Sequence, residues 1–228
     1  MKINKEIESK YLEALKNFPD FKIKGNWFYS FLKRTIDIVA SLFAILLLSW
    51  LLIIIGILVK CTSRGPIIYK STRYAEKGKY FNMYKFRSMY KDADQRKAEL
   101  MAQNEVEGGV TFKMKNDPRI TPFGRFLRKT SLDELPQLFN ILLGHMSIVG
   151  PRAGLYDEIM KYDERAMLRL SVKQGLTGEW QTHGRSTTTF ETMIDMDLDY
   201  ITKKRGFWYD VKLMFLTVWC IFTGNGAE

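Results

Sequence analysis

The chain has 228 residues and a formal net charge of +10, with 35 Lys and Arg against 25 Asp and Glu. This length holds one domain with an attachment and is enough to bury a core. A basic excess indicates nucleic acid, an anionic membrane face or phosphorylated substrates as partners, or else charge that only solvates the surface. Cysteine occurs only at positions 61 and 220, which argues against a disulfide-stapled secreted fold and a zinc site.

Residues 1–35 are predicted to form a short helical lead-in of mixed charge. Leu12, Leu15 and Phe18 give this segment a weak apolar stripe at helical spacing. No residue type or spacing within it suggests chemistry.

An uncharged apolar run extends from Ile38 to Val59, and about twenty such residues are enough to cross a hydrocarbon core. A buried helix of a soluble protein normally keeps one polar face, which this run lacks. A cleaved signal peptide is excluded because the run is too long and no small-residue cleavage site follows it. The sequence therefore predicts a membrane helix over residues 36–60.

Two topologies of this helix stay open, a simple span and a re-entrant helix. Basic residues flank the run on both sides, and because positive flanks prefer the cytoplasmic side, the charge bias favours neither end. Ser49-Trp50 divides the run into two arms of about ten residues, each of which would reach about half-way through the core. These physical arguments support the two topologies equally.

Residues 61–228 are predicted to form a single α+β domain that is mostly helical. Ile67 to Tyr69 and Tyr80 to Met83 are typical of short strands, and the turn residues between them indicate a β-hairpin. A charged helix is predicted over residues 91–104, and another from about Asp133 to Leu143.

Three later segments carry apolar residues at helical spacing. The first stripe lies within residues 155–170 and the second within residues 190–201. The third segment, Leu213 to Phe222, is flanked by the aromatic pair Trp208-Tyr209. Each of the three is interpreted either as core packing or as an amphipathic face lying on the membrane surface.

The stretch richest in reactive groups runs from Arg125 to Asn140, where three cations precede the adjacent carboxylates Asp133 and Glu134. Ser131 and Glu134 have the spacing of a capping box, which would be a purely structural role. Pro136 disfavours Ser131 as the cap, since a proline at the fifth helical position loses a backbone hydrogen bond, whereas Asp133 as the cap avoids this loss. In both cases the carboxylates lie at the positive end of a helix beside cations, a setting that favours their ionised form and attracts phosphates.

Short motifs follow one another in a fixed order through five-sixths of the chain: Lys33 to Asp37, Tyr84 to Met89, Asp117 to Thr121, Leu127 to Gln137, Met146 to Arg152 and Gly175 to Gly178. In these motifs the chain resembles the bacterial sugar transferase family, the monotopic phosphoglycosyl transferases that start capsule, exopolysaccharide and glycoprotein glycan assembly. The segment from Leu127 to Gln137 is the most specific part of the resemblance.

The resemblance implies a reaction and its residues. Asp133 would attack the sugar-bearing phosphorus of a UDP-sugar and release UMP, which leaves a phosphosugar on the carboxylate. A polyprenyl phosphate would then displace that group and give a polyprenyl diphosphate sugar. Glu134 would help to position Mg²⁺ or the acceptor, so Asp133 and Glu134 together are the implied metal site. The phosphate-contacting arginines of the family fall on Arg128 and Arg152.

Other cations are weaker candidates for substrate phosphates. Lys85 and Arg87 would meet the nucleotide or lipid phosphates, or else are solvated cations at the end of a strand. Arg185, in the turn at residues 184–186, is a similar candidate. The residues from Glu99 to Lys115 form an insert that, by resemblance, is typical of hexose transferases, so glucose or galactose is the expected sugar.

Two departures from the family pattern concern structure and leave every proposed catalytic group in place. Ser49-Trp50 stands where the family usually has Ser-Pro at the bend of a re-entrant helix, and without the proline the helix is expected to bend less readily. Pro151-Arg152-Ala153 stands where the family has Pro-Arg-Pro, which keeps the arginine but loosens the loop after it.

The sequence thus predicts an enzyme of the bacterial inner membrane with its catalytic domain on the cytoplasmic face. Its expected partners are a UDP-sugar, polyprenyl (undecaprenyl) phosphate and membrane lipid. Nucleic acid is not among them, because the basic residues are dispersed and no recognised binding motif occurs. The alternative is a non-catalytic basic adaptor that binds anionic lipid and recruits glycan-assembly partners. The oligomeric state is open, with a homodimer as one option.

Overall fold

The computed structural model describes residues 1–100, 114, 116–183 and 189–223. Its α-helices are α1 (Lys5–Asn17), α2 (Trp27–Leu47), α3 (Ser49–Thr62), α4 (Ala93–Leu100), α5 (Pro122–Lys129), α6 (Gln137–Leu142), α7 (Tyr156–Ile159), α8 (Glu164–Met167), α9 (Glu179–His183), α10 (Phe190–Asp199) and α11 (Phe207–Thr223). Its strands are β1 (Lys2–Ile3), β2 (Ile68–Tyr74), β3 (Lys79–Phe86), β4 (Ser147–Val149) and β5 (Gly175–Thr177). The described chain is therefore mostly helical with small sheets, as predicted for the α+β class.

The predicted β-hairpin is confirmed, with both strands longer than expected. Strands β2 and β3 pair antiparallel, with Tyr69 opposite Lys85. On the opposite edge of β3, β1 pairs with the first residues of that strand. Further along that edge the side chain of Asn140 takes the place of a strand. Its Oδ1 accepts from the backbone N–H of Tyr84 at 2.8 Å, and its Nδ2 donates to the carbonyl of Asn82 at 2.8 Å. Asn140 thereby fixes α6 against the hairpin.

Helix α1 belongs to the core of the domain. Its buried residues Ile7, Tyr11 and Ala14 recur at steps of four and three, which places them on one helical face. They pack against a cluster contributed by the middle of the chain, namely Ile159, Met167, Leu168 and Leu170. Of the predicted stripe, Leu15 packs against this cluster, whereas Leu12 is 50% exposed and Phe18 is 36% exposed. The face that begins at Ile7 was missed because its Tyr and Ala weaken the apolar signal.

The predicted membrane helix is a bent pair of helices. Helices α2 and α3 meet at Leu48 with a bend of 64°. In the described part of the chain no single helix is both long and apolar enough for a span; only this pair, taken together, passes that test of length and composition. The expectation that the segment bends less readily without proline is thus corrected. The hydroxyl of Ser49 donates to the carbonyl of Leu46 at 2.9 Å, a back-bond of the kind that accompanies helix bending.

Both arms of the bent pair pack one face against the domain and leave the other uncovered. Ala44 and Ile45 of α2 lie against the core cluster that contains Ile141, and Ile55 and Val59 of α3 are buried in the cluster that contains Leu127. The uncovered face consists of large apolar residues that are more than half exposed: Val39, Phe43, Leu46, Leu47, Trp50, Ile53 and Ile57. So large a contiguous apolar surface marks a membrane or a partner.

Both ends of the bent pair are bound to the same domain. Near the start of α2, Arg34 donates to two carbonyls at the end of α6 at 2.7 and 2.8 Å. One turn later Asp37 accepts from the backbone N–H of Ile148 at 2.9 Å. At the far end, the buried guanidinium of Arg87 donates to the carbonyl of Ser63, just past α3, at 2.6 Å.

The stripe within residues 155–170 does not form one helix. Asp163 interrupts it, because its carboxylate caps the new helix α8 by accepting from the backbone N–H of Ala166 at 2.7 Å. Helix α7 lies before this break, and a 3₁₀ turn follows α8. The buried state of Ile159, Ala166 and Leu170 confirms the core-packing interpretation.

The two later stripes have different environments. Ile194 of α10 and Ile201 of the π-helix that follows it are buried. Helix α11 buries Leu213 but leaves Phe215 73% exposed and Trp219 65% exposed. The first of these stripes is therefore core, whereas α11 is amphipathic with an uncovered aromatic side.

Candidate active site

Asp133 and Glu134 lie on a tight turn ahead of the predicted helix. A 3₁₀ turn spans Leu132–Glu134, and α6 begins only at Gln137. Ser131 ends the preceding segment in the left-handed region, with φ 55°, and its side chain makes no capping bond. The helix predicted from Asp133 and the capping box are therefore corrected. Pro136 explains the late start, since it precedes α6 directly and a helix tolerates proline only at its beginning.

Asp133 is a buried carboxyl group, 6% exposed. Burial is the main reason that its pKa rises to about 6; the neighbouring charge of Glu134 adds to the rise, and the positive charges of Lys85 and Arg128 oppose it. In the part of the chain that the structure describes, Asp133 forms no ion pair. Burial thus disfavours the ionised form, which a bound cation would stabilise.

Lys85 connects the hairpin to this turn. Its Nζ lies 2.6 Å from Oε1 of Glu134, and both side chains are only partly exposed. Met83 and Phe86 on the same strand are buried in the core, which holds β3 and therefore Lys85 in place. The structure thus brings Lys85, predicted only as a weak candidate, into direct contact with the carboxylate pair.

Arg128 is positioned by a close contact between α5 and the end of β3. The hydroxyl of Thr121 caps α5 by accepting from the backbone N–H of Gly124 at 2.9 Å. Gly124 is required there, because a Cβ would lie 1.9 Å from the carbonyl oxygen of Ser88. The Nε of Arg128 then donates to Oγ of Ser88 at 3.0 Å. This leaves the guanidinium near enough to Asp133 to lower the pKa of that group.

The motif at Asp117 to Thr121 supports this arrangement. Asp117 and Arg119 form a buried ion pair at 2.7 Å. Burial raises the pKa of Asp117, but the hydrogen bonds and then the charge of Arg119 outweigh it and lower the pKa. The backbone N–H of Thr121 donates to the carbonyl of Ser88 at 3.0 Å. The motif therefore fixes the loop that starts α5.

Arg73 of β2 is a charged residue of this region that the sequence analysis did not single out. Its Nη1 donates to the carbonyl of Ala153 at 3.1 Å and lies 3.9 Å from Glu158. Burial lowers the pKa of Arg73, Arg152 lowers it further, and Glu158 and Glu134 raise it. Arg73 thus lies in the field of both Arg152 and the carboxylate pair. The alternation of β2 could have indicated it, because Ser71 and Arg73 share one strand face.

Arg152 is an exposed residue in an otherwise buried loop that packs on this edge of β2. The backbone N–H of Tyr74 donates to the carbonyl of Gly154 at 3.0 Å, next to the Arg73 contact. The Arg152 guanidinium lies 5.9 Å from the centre of the Trp180 ring, over its face. Arg152 is therefore oriented by an aromatic surface and keeps an exposed charge at the rim of the site.

The two remaining arginine candidates have different outcomes. Arg87 is 5% exposed, and its guanidinium is bound to backbone carbonyls around the end of α3, including Val59 at 3.2 Å. Arg87 is therefore not a solvated strand-end cation. None of these bonds directs it toward the carboxylate pair. Arg185 and most of the insert between Glu99 and Lys115 lie outside the described residues.

The carboxylate pair fits Mg²⁺ only as a partial site. In the described ranges no group of three or more His, Cys, Asp and Glu is placed to hold a metal ion. Mg²⁺, however, is commonly bound by one or two carboxylates together with substrate phosphates and water. Asp133, whose charge is not paired, and the adjacent Glu134 meet that requirement.

Comparison with known proteins assigns the class of this protein. The signature of the family described as "Bacterial sugar transferase" matches residues 28–224, which include every described residue of the site. The chain belongs to the bacterial sugar transferase family.

Relatives with defined names share about two-fifths of their matched residues with this chain. It is 43% identical over 200 residues to the undecaprenyl-phosphate galactose phosphotransferase of Salmonella typhimurium. It is also 43% identical over 204 residues to the UDP-glucose:undecaprenyl-phosphate glucose-1-phosphate transferase of Escherichia coli. These matches cover 86% of this chain but only 42% and 41% of those relatives. The exopolysaccharide production protein ExoY of Rhizobium meliloti is 38% identical over 198 residues, which cover 86% of this chain and 87% of ExoY.

Proposed function

We propose that this protein transfers a hexose 1-phosphate from a UDP-sugar to undecaprenyl phosphate, as the first membrane step of exopolysaccharide or capsule assembly. The observation that carries the proposal is the buried carboxylate of Asp133, which forms no ion pair among the described residues and lies in the field of Lys85 and Arg128. The names of the relatives support undecaprenyl phosphate as the acceptor, and glucose or galactose as the sugar.

In the first step an ionised carboxylate oxygen of Asp133 attacks the sugar-bearing phosphorus of the donor. A carboxylate–phosphorus bond forms, the bond to the bridging oxygen breaks, and UMP leaves with that oxygen and its electron pair. Desolvation makes the Asp133 carboxylate a better nucleophile than a solvated one. The positive charges of Lys85, Arg128 and Arg152 offset the repulsion between the carboxylate and the diphosphate.

In the second step a terminal oxygen of undecaprenyl phosphate attacks the same phosphorus. The bond to Asp133 breaks, the carboxylate is regenerated, and the product is a polyprenyl diphosphate sugar. When bound at Asp133 and Glu134, Mg²⁺ supplies positive charge that lowers the repulsion between the anions. Lys85 keeps Glu134 oriented through the 2.6 Å ion pair.

We further propose that the bent pair α2–α3 is re-entrant in the bacterial inner membrane and that the domain lies on the cytoplasmic face. Arg34 and Asp37 hold one end of the pair to the domain, and Arg87 holds the other. Both ends must therefore lie on the side of the membrane where the domain lies. The exposed aromatic side of α11 would rest at the interface, near the lipid acceptor.

The experiment is UMP release from a panel of UDP-sugars by the full chain in detergent with Mg²⁺, with and without undecaprenyl phosphate. A covalent route predicts one UMP per enzyme molecule without acceptor and continuous release with it. The intact protein should then gain the mass of one phosphosugar, located on the peptide that contains Asp133.

Asp133→Asn should abolish both the burst and the mass gain, whereas Asp157→Asn, at an exposed position of α7, should keep them. Turnover that requires both substrates together, with no burst, would contradict the aspartyl intermediate while keeping the reaction. Folded protein that binds membranes but releases no UMP from any donor would favour the adaptor.

A further inference from the structure

A second charged cavity lies away from the carboxylate pair, at the foot of α2. Its volume is about 430 Å³, within the range of small-ligand sites. None of Asp133, Glu134 and Arg128 lines it. Ile23 and Gly25, which contribute to one wall, precede the part of the chain matched by the family signature.

Cations dominate the lining of this cavity. Lys33, Arg34, Lys77, Lys173 and Arg205 contribute to it, against the two carboxylates of Asp37 and Glu76. Most of these charged groups already form ion pairs or hydrogen bonds within the protein. Lys33 lies 2.6 Å from Asp210, and Arg34 donates to carbonyls at the end of α6. The Asp37 carboxylate accepts from the hydroxyl of Ser147 at 3.0 Å.

Lys173 and Lys77 are the lining cations without such partners. Among the described residues neither one forms an ion pair or a hydrogen bond. Lys173 is half-buried; burial lowers its pKa, and the charge of Arg34 lowers it further, only partly opposed by Glu76 and Asp37. A partly desolvated ammonium beside a second cation is unfavourable unless an anion compensates it.

From the cavity, its excess of cations and the unpaired ammonium of Lys173, we infer that this cavity binds a phosphate group with a net negative charge. The ligand is either the phosphate of an anionic lipid headgroup or free phosphate. The lipid source fits the location, since Lys33, Arg34 and Asp37 directly precede the apolar run that begins at Ile38. None of the residues proposed to meet the sugar donor, namely Lys85, Arg128, Asp133, Glu134 and Arg152, lines this cavity.

The test measures acetylation of individual lysines by an amine-reactive ester, read by peptide mass spectrometry on the full chain. Inorganic phosphate in detergent is the first probe. Nanodiscs of phosphatidylcholine with and without phosphatidylglycerol are the second. We expect Lys173 and Lys77 to react about tenfold more slowly when the ligand is at about ten times its Kd. Lys16, at an exposed position of α1 outside the cavity, is the matched control and should be unaffected.

Lys173→Met removes one cation and keeps most of the side-chain volume, so it should weaken the protection of Lys77 by about tenfold. Protection by inorganic phosphate assigns the site to free phosphate, and protection only with phosphatidylglycerol assigns it to the lipid headgroup. Equal reaction rates of Lys173 and Lys77 under all conditions overturn the inference. The acetylation of Lys85, measured in the same digest, reports on the carboxylate site independently. The test requires no turnover, so its outcome does not depend on the proposed function.

Discussion

The adjacent carboxylates Asp133 and Glu134 differ in how the protein compensates their charge. Glu134 has a dedicated partner, the Lys85 ammonium at 2.6 Å. Asp133 is more deeply buried and forms no ion pair among the described residues; the charges of Lys85 and Arg128 and a backbone hydrogen bond lower its pKa. A paired carboxylate is held in place but is a weaker nucleophile, whereas an unpaired one is reactive and costs stability. The difference supports the proposed roles, attack by Asp133 and positioning by Glu134.

The unpaired carboxylate of Asp133 should lower the free energy of unfolding at neutral pH. Because the pKa of Asp133 is about 6 in the folded chain, against 3.8 for an unperturbed aspartate, the folded state binds its proton more tightly than the unfolded state does. The stability that protonation contributes is therefore present at low pH and is lost as the pH rises through about 6. Without Mg²⁺, Asp133→Asn should raise the free energy of unfolding at neutral pH by up to about 3 kcal/mol. Thermal unfolding in detergent measures this gain.

The gain should shrink toward zero as the pH is lowered to about 4, where Asp133 is largely protonated in the folded state. Asp157→Asn, at an exposed position, should show neither the gain nor its pH dependence. A loss of stability in Asp133→Asn at neutral pH would mean that the carboxylate is compensated in the folded chain.

Lys85 should set the pH at which Asp133 becomes reactive. Burial raises the pKa of Asp133, and Lys85 is the largest effect opposing that rise. Lys85→Met should therefore move the acid limb of the pH profile for the UMP burst to higher pH, in addition to lowering the rate. Lys85→Arg, which keeps the charge, should restore the position of the limb but not the full rate. An unshifted limb in Lys85→Met would limit the lysine to holding Glu134.

At the scale of elements, the sequence indicated the membrane segment that contains α2 and α3 but not the contacts that hold it in place. The apolar run and Ser49 were visible, and they indicated a membrane segment with two arms. The contacts that fix both ends, from Arg34, Asp37 and Arg87, connect residues far apart in sequence, so no local pattern could reveal them. The topology, left open by the sequence, becomes a definite proposal through these contacts.

Cysteine labelling tests the re-entrant topology. In a Cys220→Ser background, Cys61 is an exposed reporter beyond the bend. Ser30→Cys, combined with Cys61→Ser, gives an exposed reporter before it. In bacterial spheroplasts a membrane-impermeant maleimide should label both sites only after permeabilisation. Labelling of one site, but not the other, in intact spheroplasts would establish a span.

In the site, too, residues that are close together in the sequence could be predicted, whereas residues brought together by packing could not. The motif from Leu127 to Gln137 identified the carboxylates and Arg128, because reactive groups were close together in the sequence. The helix boundary was wrong by several residues, since a left-handed Ser131 and a 3₁₀ turn have no strong sequence signal. Arg73 was missed because its relation to Arg152 depends on packing between β2 and a loop about eighty residues later.

At the scale of the whole molecule, the N-terminal helix shares a core with the residues that follow the carboxylate site in the chain. Ile7 and Ala14 are fully buried against residues that follow the site in sequence, although the family signature begins only at residue 28. Residues 1–17 are therefore expected to be required for folding of the rest, even though they contribute nothing to the chemistry.

Ile7→Ala should lower the free energy of unfolding by about 2–4 kcal/mol, because it leaves a cavity in that core. The KM for the donor should stay unchanged, since no described contact joins Ile7 to the carboxylate site. Leu12→Ala, on the exposed face of the same helix, is the control and should cost much less. On the same preparations, thermal unfolding measures the change in stability and UMP release measures the KM. Equal losses in the two variants would mean that α1 does not pack as described.

Asn140 closes the outer edge of β3 with a side chain, as described for the hairpin. An open strand edge is a template for a neighbouring chain, and natural sheets avoid aggregation by covering such edges. Here one amide occupies the donor and the acceptor that an incoming strand would need. A second molecule therefore cannot extend the sheet at that point, so crowding of many copies should not convert this edge of β3 into a continuous intermolecular sheet.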